Sequence, residues 1–283
     1  IAAAIERGMS ATKIINCENG NYRVGRKVIH DTHPHDYLTP GRILKVSSNI
    51  GAAKIAQDIG PKAMHYYLNA FGFGKKTGIS CPGESSGVIL PLQRWTSIDA
   101  VAMSFGQGMS VTALQLVSAI SAIANGGKLM KPLLVKKILS NSGEIIQANK
   151  PCVVRQVISA KTAGIVKKMM ARVVHQKEGT GTKAAIPGYR ICGKTSTAQK
   201  VARNKKGYSS SRYTAAFAGF APFDNPALAI LVVVDEPKKN HYGGIVAAPA
   251  FKDIMARSFN YLNIPPQTDM IAALPREIPH AAD

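Results

Sequence analysis

Gly193-Lys194-Thr195-Ser196-Thr197-Ala198, within the run from Tyr189 to Val201, sets one ammonium beside three hydroxyls in four consecutive positions. Tyr189, Ile191, Thr195, Thr197 and Val201 favour strand, and Pro187-Gly188 marks the entry. On a strand, side chains alternate between faces, so Thr195 and Thr197 project together while Lys194 and Ser196 face the other way. Two hydroxyls on one face with a long-armed cation beside them make a cradle for a carboxylate or a phosphate.

Two chemistries compete for this stretch. Residues 188–195 spell the phosphate-loop pattern G-x-x-x-x-G-K-[ST], and Asp235 ends an apolar run much as a magnesium-holding acid does in nucleotide hydrolases. A phosphate loop follows a strand and opens a helix, with middle residues that let the backbone curl round phosphate. Here those residues are Tyr, Arg, Ile and Cys, which read as strand. A polar turn at 204–211 follows, and then a second apolar run, Tyr213 to Phe220. That order predicts a β-hairpin, whereas a phosphate loop needs a parallel crossover.

At 283 residues and 46% hydrophobic, the chain has ample length for a globular core. No run of about twenty apolar residues is present to span a bilayer. The sequence opens without Met inside a helical pattern and is read as a fragment whose N-terminus is missing. The net charge is +20, but the lysines and arginines are scattered and no nucleic-acid motif appears, so nucleic acid is not an expected partner. Cys17, Cys81, Cys152 and Cys192 lie far apart without a CxxC; three of them are expected as quiet, buried thiols.

In chain order, 1–7 reads as a helix tail stopped at Gly8. Ser10-Ala-Thr-Lys13 fits Ser-x-x-Lys, yet Ser10 follows a helix terminator instead of opening a helix, and is read as a decoy. Residues 21–36 read as a polar hairpin and loop; His30, Asp31, His33, His35 and Asp36 lie on no regular element and carry no metal-ligand spacing. Thr39-Pro40 opens a helix to Val46. Ser47-Ser48-Asn49 then turns into a second helix, 50–59, ended by Gly60. Thr112 caps a helix over 114–123, a hairpin turns at 141–143, and 161–175 has helical spacing. Gly179-Thr-Gly181-Thr182 reads as a flexible turn, 214–220 and 228–234 as further antiparallel strands, and 237–240 as a mobile loop. The tail beyond Pro265-Pro266 is expected to be poorly ordered.

Ser47-Ser48-Asn49, Phe71-Gly-Phe-Gly74, Pro82-Gly83-Glu84, Ser104-Phe-Gly-Gln-Gly108, Ala124-Asn-Gly-Gly127 and the Gly193–Ala198 strand resemble class B penicillin-binding proteins, in family order from Ile1 to about Pro265. Tyr242-Gly243-Gly244 through Phe251 is similar to the closing helix of the division-specific (FtsI type) branch. The family uses Ser-x-x-Lys, Ser-x-Asn and Lys-[Thr/Ser]-Gly. The resemblance places the first motif upstream of residue 1. It makes Lys76-Thr77-Gly78 a second decoy, and it sets Ser196 where the family has Gly.

The resemblance implies an α+β fold: an antiparallel sheet flanked by helices, plus an all-helical lobe. The expected transpeptidase domain is 1–265, with 9–175 as the helical lobe, 1–8 and 176–265 as the sheet lobe, and 266–283 as a tail. It further implies a peptidoglycan D,D-transpeptidase working through an acyl-serine, with peptidoglycan stem peptides and β-lactam antibiotics as ligands and no cofactor. Ser47, Asn49 and Lys194 would be catalytic, and Ser48, Thr195, Ser196 and Thr197 substrate-binding. The protein would stand on the periplasmic face of the bacterial inner membrane beside other division proteins, held by an N-terminal anchor. A β-lactam sensor, which would share every motif, or a non-catalytic penicillin-binding module, which would lack the upstream Ser-x-x-Lys, stands as the alternative.

Overall fold

A computed structural model describes residues 1–25, 27–96, 98–202 and 207–267. Arg26, Ser97, residues 204–206 of the expected 204–211 turn and the tail from 268 onwards lie outside them. In order, the chain forms α1 (Ala2–Glu6), β1 (Ile15–Asn16), β2 (Asn21–Val24), β3 (Lys27–His30), β4 (Tyr37–Leu38), α2 (Pro40–Val46), α3 (Asn49–Ala70), α4 (Asp99–Ser104) and α5 (Ala113–Ala124). It continues through β5 (Lys128–Met130), β6 (Lys137–Leu139), β7 (Ile145–Ala148), β8 (Val153–Gln156), α6 (Ala160–His175), β9 (Cys192–Val201), β10 (Tyr208–Ala221), β11 (Leu228–Asp235), α7 (Gly243–Val246) and α8 (Ala248–Tyr261).

Local chemistry explains most boundaries. Thr39 caps α2 by accepting from the Arg42 amide, with Pro40 at the first helical position. Thr112 and Gln115 form a capping box on α5. Gly60 leaves helical geometry inside α3 (φ 79°, ψ 161°) and Pro61 restarts it, so the expected stop is a kink between two helical segments.

The organising sheet has the order β11-β10-β9, antiparallel throughout. The second strand starts at Tyr208, earlier than the expected Tyr213, with an irregularity between those residues. Register sets Cys192 opposite Phe220, Lys194 opposite Ala218 and Thr195 opposite Phe217. One face therefore carries Gly193, Thr195, Thr197 and Phe217, packed on α8 through Phe251 and Met255. The other carries Cys192 and Phe220, packed on α6 through Val166 and Met170. Because β9 is an edge strand, Lys194 to Thr197 lie at the margin of the sheet. Asp235 and Glu236, which imitate a metal-binding strand end in sequence, are instead paired with Lys200 at 2.9 Å each.

A helical lobe stands beside that margin. Its core joins Ile43, Ile50, Ala53 and Val101 with Ile15, Ile29 and Leu38 from the short strands. The α6 helix packs on both α2 and β9, so the boundary expected at 175 ends a helix shared by the two lobes. The first helix packs on α3 and α6, and its Ala2 reaches the cluster that holds Cys192 and Phe220. Cys17 and Cys192 are buried whereas Cys81 and Cys152 are exposed, so two thiols are sequestered where three were expected. Among the described residues no helix is long and apolar enough to cross a membrane.

The join between α6 and β9 is pH-sensitive. The Ile191 amide donates to His175 Nε2 at 2.8 Å, which requires an unprotonated nitrogen. Burial, reinforced by the Arg190 charge, pushes the His175 pKa below the ordinary 6.5. The unfolded chain thus binds the proton at a higher pH than the folded one, and stability falls as pH drops below about 6.5. Melting midpoints are expected to fall from pH 7 to pH 5.5, a range above most carboxylate titration, and His175→Gln is expected to flatten that slope.

Candidate active site

The helical wall of the site is the turn between α2 and α3. Ser47 closes α2 in the left-handed region (φ 61°, ψ 46°), a conformation uncommon for a residue with a side chain and one that accumulates at functional sites. Ser48 is only 4% exposed and caps α3: its Oγ accepts from the Gly51 amide at 2.9 Å and donates to Asp31 Oδ2 at 2.5 Å. Asp31 Oδ1 accepts from the Ile50 amide at 3.0 Å, so this acid braces the turn. Asn49 Nδ2 donates to the His30 carbonyl at 3.0 Å, which fixes the side chain. Asp31→Ala is expected to lower stability by about 1–2 kcal/mol, the range of a lost helix cap, measurable by denaturant titration.

The sheet wall is the β9 margin. Lys194 Nζ donates to Ser47 Oγ at 2.8 Å and to the Thr195 carbonyl at 2.9 Å. Desolvation of the ammonium pushes its pKa down from 10.5 to about 8. The lysine, more than the threonine pair, is what faces Ser47. Thr195 Oγ1 donates to Thr180 Oγ1 at 2.9 Å and accepts weakly from Lys194 at 3.4 Å. Thr197 Oγ1 accepts from the Gly243 amide at 3.2 Å, and Ser196 is exposed on the Lys194 side.

Three residues that sequence reasoning passed over frame these walls. Lys45 is 8% exposed, and its Nζ reaches the Lys177 carbonyl at 3.1 Å and Glu178 at 3.2 Å. The Lys45 carbonyl accepts from the Thr180 amide at 3.3 Å. The segment 177–180, which runs into the flexible turn expected at 179–182, is thereby tied to the helix that ends at Ser47. At Gly243 an added Cβ would stand 2.2 Å from the Ala216 carbonyl oxygen and 2.4 Å from that of Ser196, so α7 starts in backbone contact with the sheet. A further link between lobes is the Gly108 amide, which donates to Tyr208 Oη at 3.0 Å.

The decoys separate cleanly. Ser10 bonds Thr12 at an exposed turn, and Lys13 is paired with Asp58 at 2.6 Å. In Lys76-Thr77-Gly78 the Thr77 hydroxyl and the Thr77 and Gly78 amides all donate to Glu84. The phosphate-loop reading fails because the chain continues through Thr195 as strand to Val201 where that loop would open a helix.

A strand-borne lysine thus reaches a serine turn across the seam between a sheet lobe and a helical lobe. The signature described as penicillin binding protein transpeptidase domain covers residues 1–256, and the chain belongs to that family, in its class B group. It is 34% identical to the penicillin-binding protein PbpB of Mycobacterium tuberculosis over 278 residues, which are 95% of this chain and 41% of the relative. It is 38% identical to the stage V sporulation protein D of Bacillus subtilis over 84% of this chain and 36% of that protein. The chain thus spans about two fifths of the length of these relatives. Among solved structures it resembles the apo transpeptidase domain of Burkholderia pseudomallei penicillin-binding protein 3, with TM-score 0.83 and 34% identity over 94% of this chain and 77% of that one. It also resembles penicillin-binding protein 3 of Mycobacterium tuberculosis complexed with aztreonam, with TM-score 0.86 and 32% identity over 95% and 62%.

Proposed function

We propose that this chain supplies the substrate groove of a peptidoglycan D,D-transpeptidase that cross-links stem peptides through an acyl-serine intermediate during septal wall synthesis. The observation that carries the reading is the 2.8 Å contact between Lys194 Nζ and Ser47 Oγ, which joins the second and third family motifs in one site. In this mechanism Thr195 and Thr197 hold the terminal D-alanine carboxylate by charge-assisted hydrogen bonds, with Ser196 beside them at the strand edge. The Thr197 backbone N–H forms half of an oxyanion hole, meeting charge that develops only in the transition state. A lysine with pKa near 8 supplies positive potential yet exchanges a proton readily at neutral pH. Ser47, at the end of the lysine, relays that proton toward the leaving amine. Asn49, whose Nδ2 is held by His30, presents Oδ1 to a substrate amide. Ser48 acts indirectly, as the cap that fixes its neighbours.

The nucleophile is assigned to a Ser-x-x-Lys preceding Ile1 in the full-length protein, since neither Ser10 nor Lys13 is placed for the role. Ligands are stem peptides and β-lactams; the aztreonam and ampicillin complexes of the related Mycobacterium tuberculosis penicillin-binding protein 3 support the latter. The full-length protein would act at the bacterial cell wall, on the periplasmic face of the inner membrane, with other division proteins as partners. Fluorescent penicillin labelling of the full-length protein, with and without replacement of that serine, tests the reading. Covalent labelling that disappears with the serine supports it; labelling that persists, or never occurs, overturns it.

A further inference from the structure

Hydroxyl bookkeeping at the sheet wall exposes an unmet requirement. Thr195 has one proton, and in the free site it is donated to Thr180 Oγ1 at 2.9 Å. A carboxylate can only accept, so Thr195 must turn that proton outward before it can hold one. Its bond to Thr180 then survives only if Thr180 reverses and donates to Thr195. Little holds Thr180 back from turning: its own proton goes to the Lys45 carbonyl over a long 3.4 Å, and that carbonyl keeps the Thr180 amide at 3.3 Å after the hydroxyl leaves.

We infer that Thr180 is a positioning residue whose hydroxyl rotates on ligand binding, freeing Thr195 to donate to a carboxylate while backing it with a second donor. The step is a pair of O–H rotations, with no proton changing its oxygen. The Lys45–Glu178 pair and the Lys45–Thr180 backbone bond hold this relay in line with the helix that presents Ser47. The inference deepens the transpeptidase reading above and rests on it.

The test uses the full-length protein and a carboxylate-bearing penicillin, with the concentration dependence of acylation resolved into a dissociation constant and a limiting rate. Thr180→Val keeps the shape and removes the hydroxyl. It is expected to raise the dissociation constant about 5–10-fold, the scale of one lost hydrogen bond, and to leave the limiting rate within about twofold. Thr180→Ser, which keeps the hydroxyl, is expected to return binding to within about twofold of the parent. A purely structural residue would not be rescued this way. An unchanged dissociation constant in Thr180→Val, equal loss in the serine and valine variants, or loss confined to the limiting rate overturns the inference alone. A parent that is never acylated overturns the transpeptidase reading with it. Melting curves accompany each variant, and Thr180→Ala repeats the measurement, with the same expectation, if valine unfolds early.

Discussion

Lys194→Met in the full-length protein is expected to slow β-lactam acylation by about 10²-fold or more while raising the melting temperature near neutral pH. The kinetic loss follows from removing both the positive potential at the carboxylate cradle and the group that hands a proton to Ser47, a role worth about 10²–10⁴-fold in enzymes that use one. The gain in stability follows from the lysine's pKa. A value of about 8 in the fold, against 10.5 for a free lysine, means that folding disfavours the charged form. The unfolded chain holds more protons between those values, so parental stability rises with pH through that window, and the penalty is fully present below 8. Methionine removes it at similar volume. The gap between variant and parent is therefore widest below pH 8 and closes toward pH 10.5. Lys194→Arg should not restore turnover, because a guanidinium stays protonated. Parental acylation by Lys194→Met would remove the lysine from the mechanism. A melting gap independent of pH would show that its burial carries no electrostatic penalty.

How much of this could be read in the sequence depends on whether the signal is local. The β9 strand and its hairpin partner declare themselves through β-formers, alternation and a polar turn, and the same alternation correctly separates Lys194 from Thr195 and Thr197. Helix starts at Thr39 and Thr112 follow from side-chain capping, again a local matter. Ser47 and Ser48 mark where local reading ends. Adjacent and chemically identical, they divide into an exposed left-handed turn residue and a buried cap only because Asp31, far back in the chain, claims the second hydroxyl. Lys45, Glu178 and Thr180 were missed for a related reason. Their contacts join α2 to a segment more than a hundred residues away, and no periodicity encodes such a pairing. One trace was available: Gly179-Thr-Gly181 reads as flexible, yet paired glycines serve tight backbone approaches equally well, as at Gly179, where an added Cβ would lie 2.2 Å from the Val173 carbonyl oxygen.

The largest expected loss of stability lies directly beneath the site. Phe217→Ala is expected to cost about 3–5 kcal/mol, the range for emptying a buried aromatic position. Phe217 is fully buried, lies opposite Thr195 in register and meets Phe251 edge-on with ring centres 4.7 Å apart. Its ring also fixes how closely two backbone segments approach. A Cβ added at Gly193 would stand 2.3 Å from Phe217 Cζ, and one at Gly181 2.8 Å from Cε2. The ring therefore supports both β9, just before Lys194, and the segment that presents Thr180 to Thr195. Truncation leaves a cavity between them, and both can settle into it. Acylation measured well below the melting point of the variant should fall as well, although Phe217 touches no reacting group. Phe217→Leu, which refills most of the volume, should recover more stability than activity, because an aliphatic branch cannot hold two flat approaches at once. Denaturant titration and acylation kinetics on the two variants check this together; equal recovery of both quantities would reduce Phe217 to core filling.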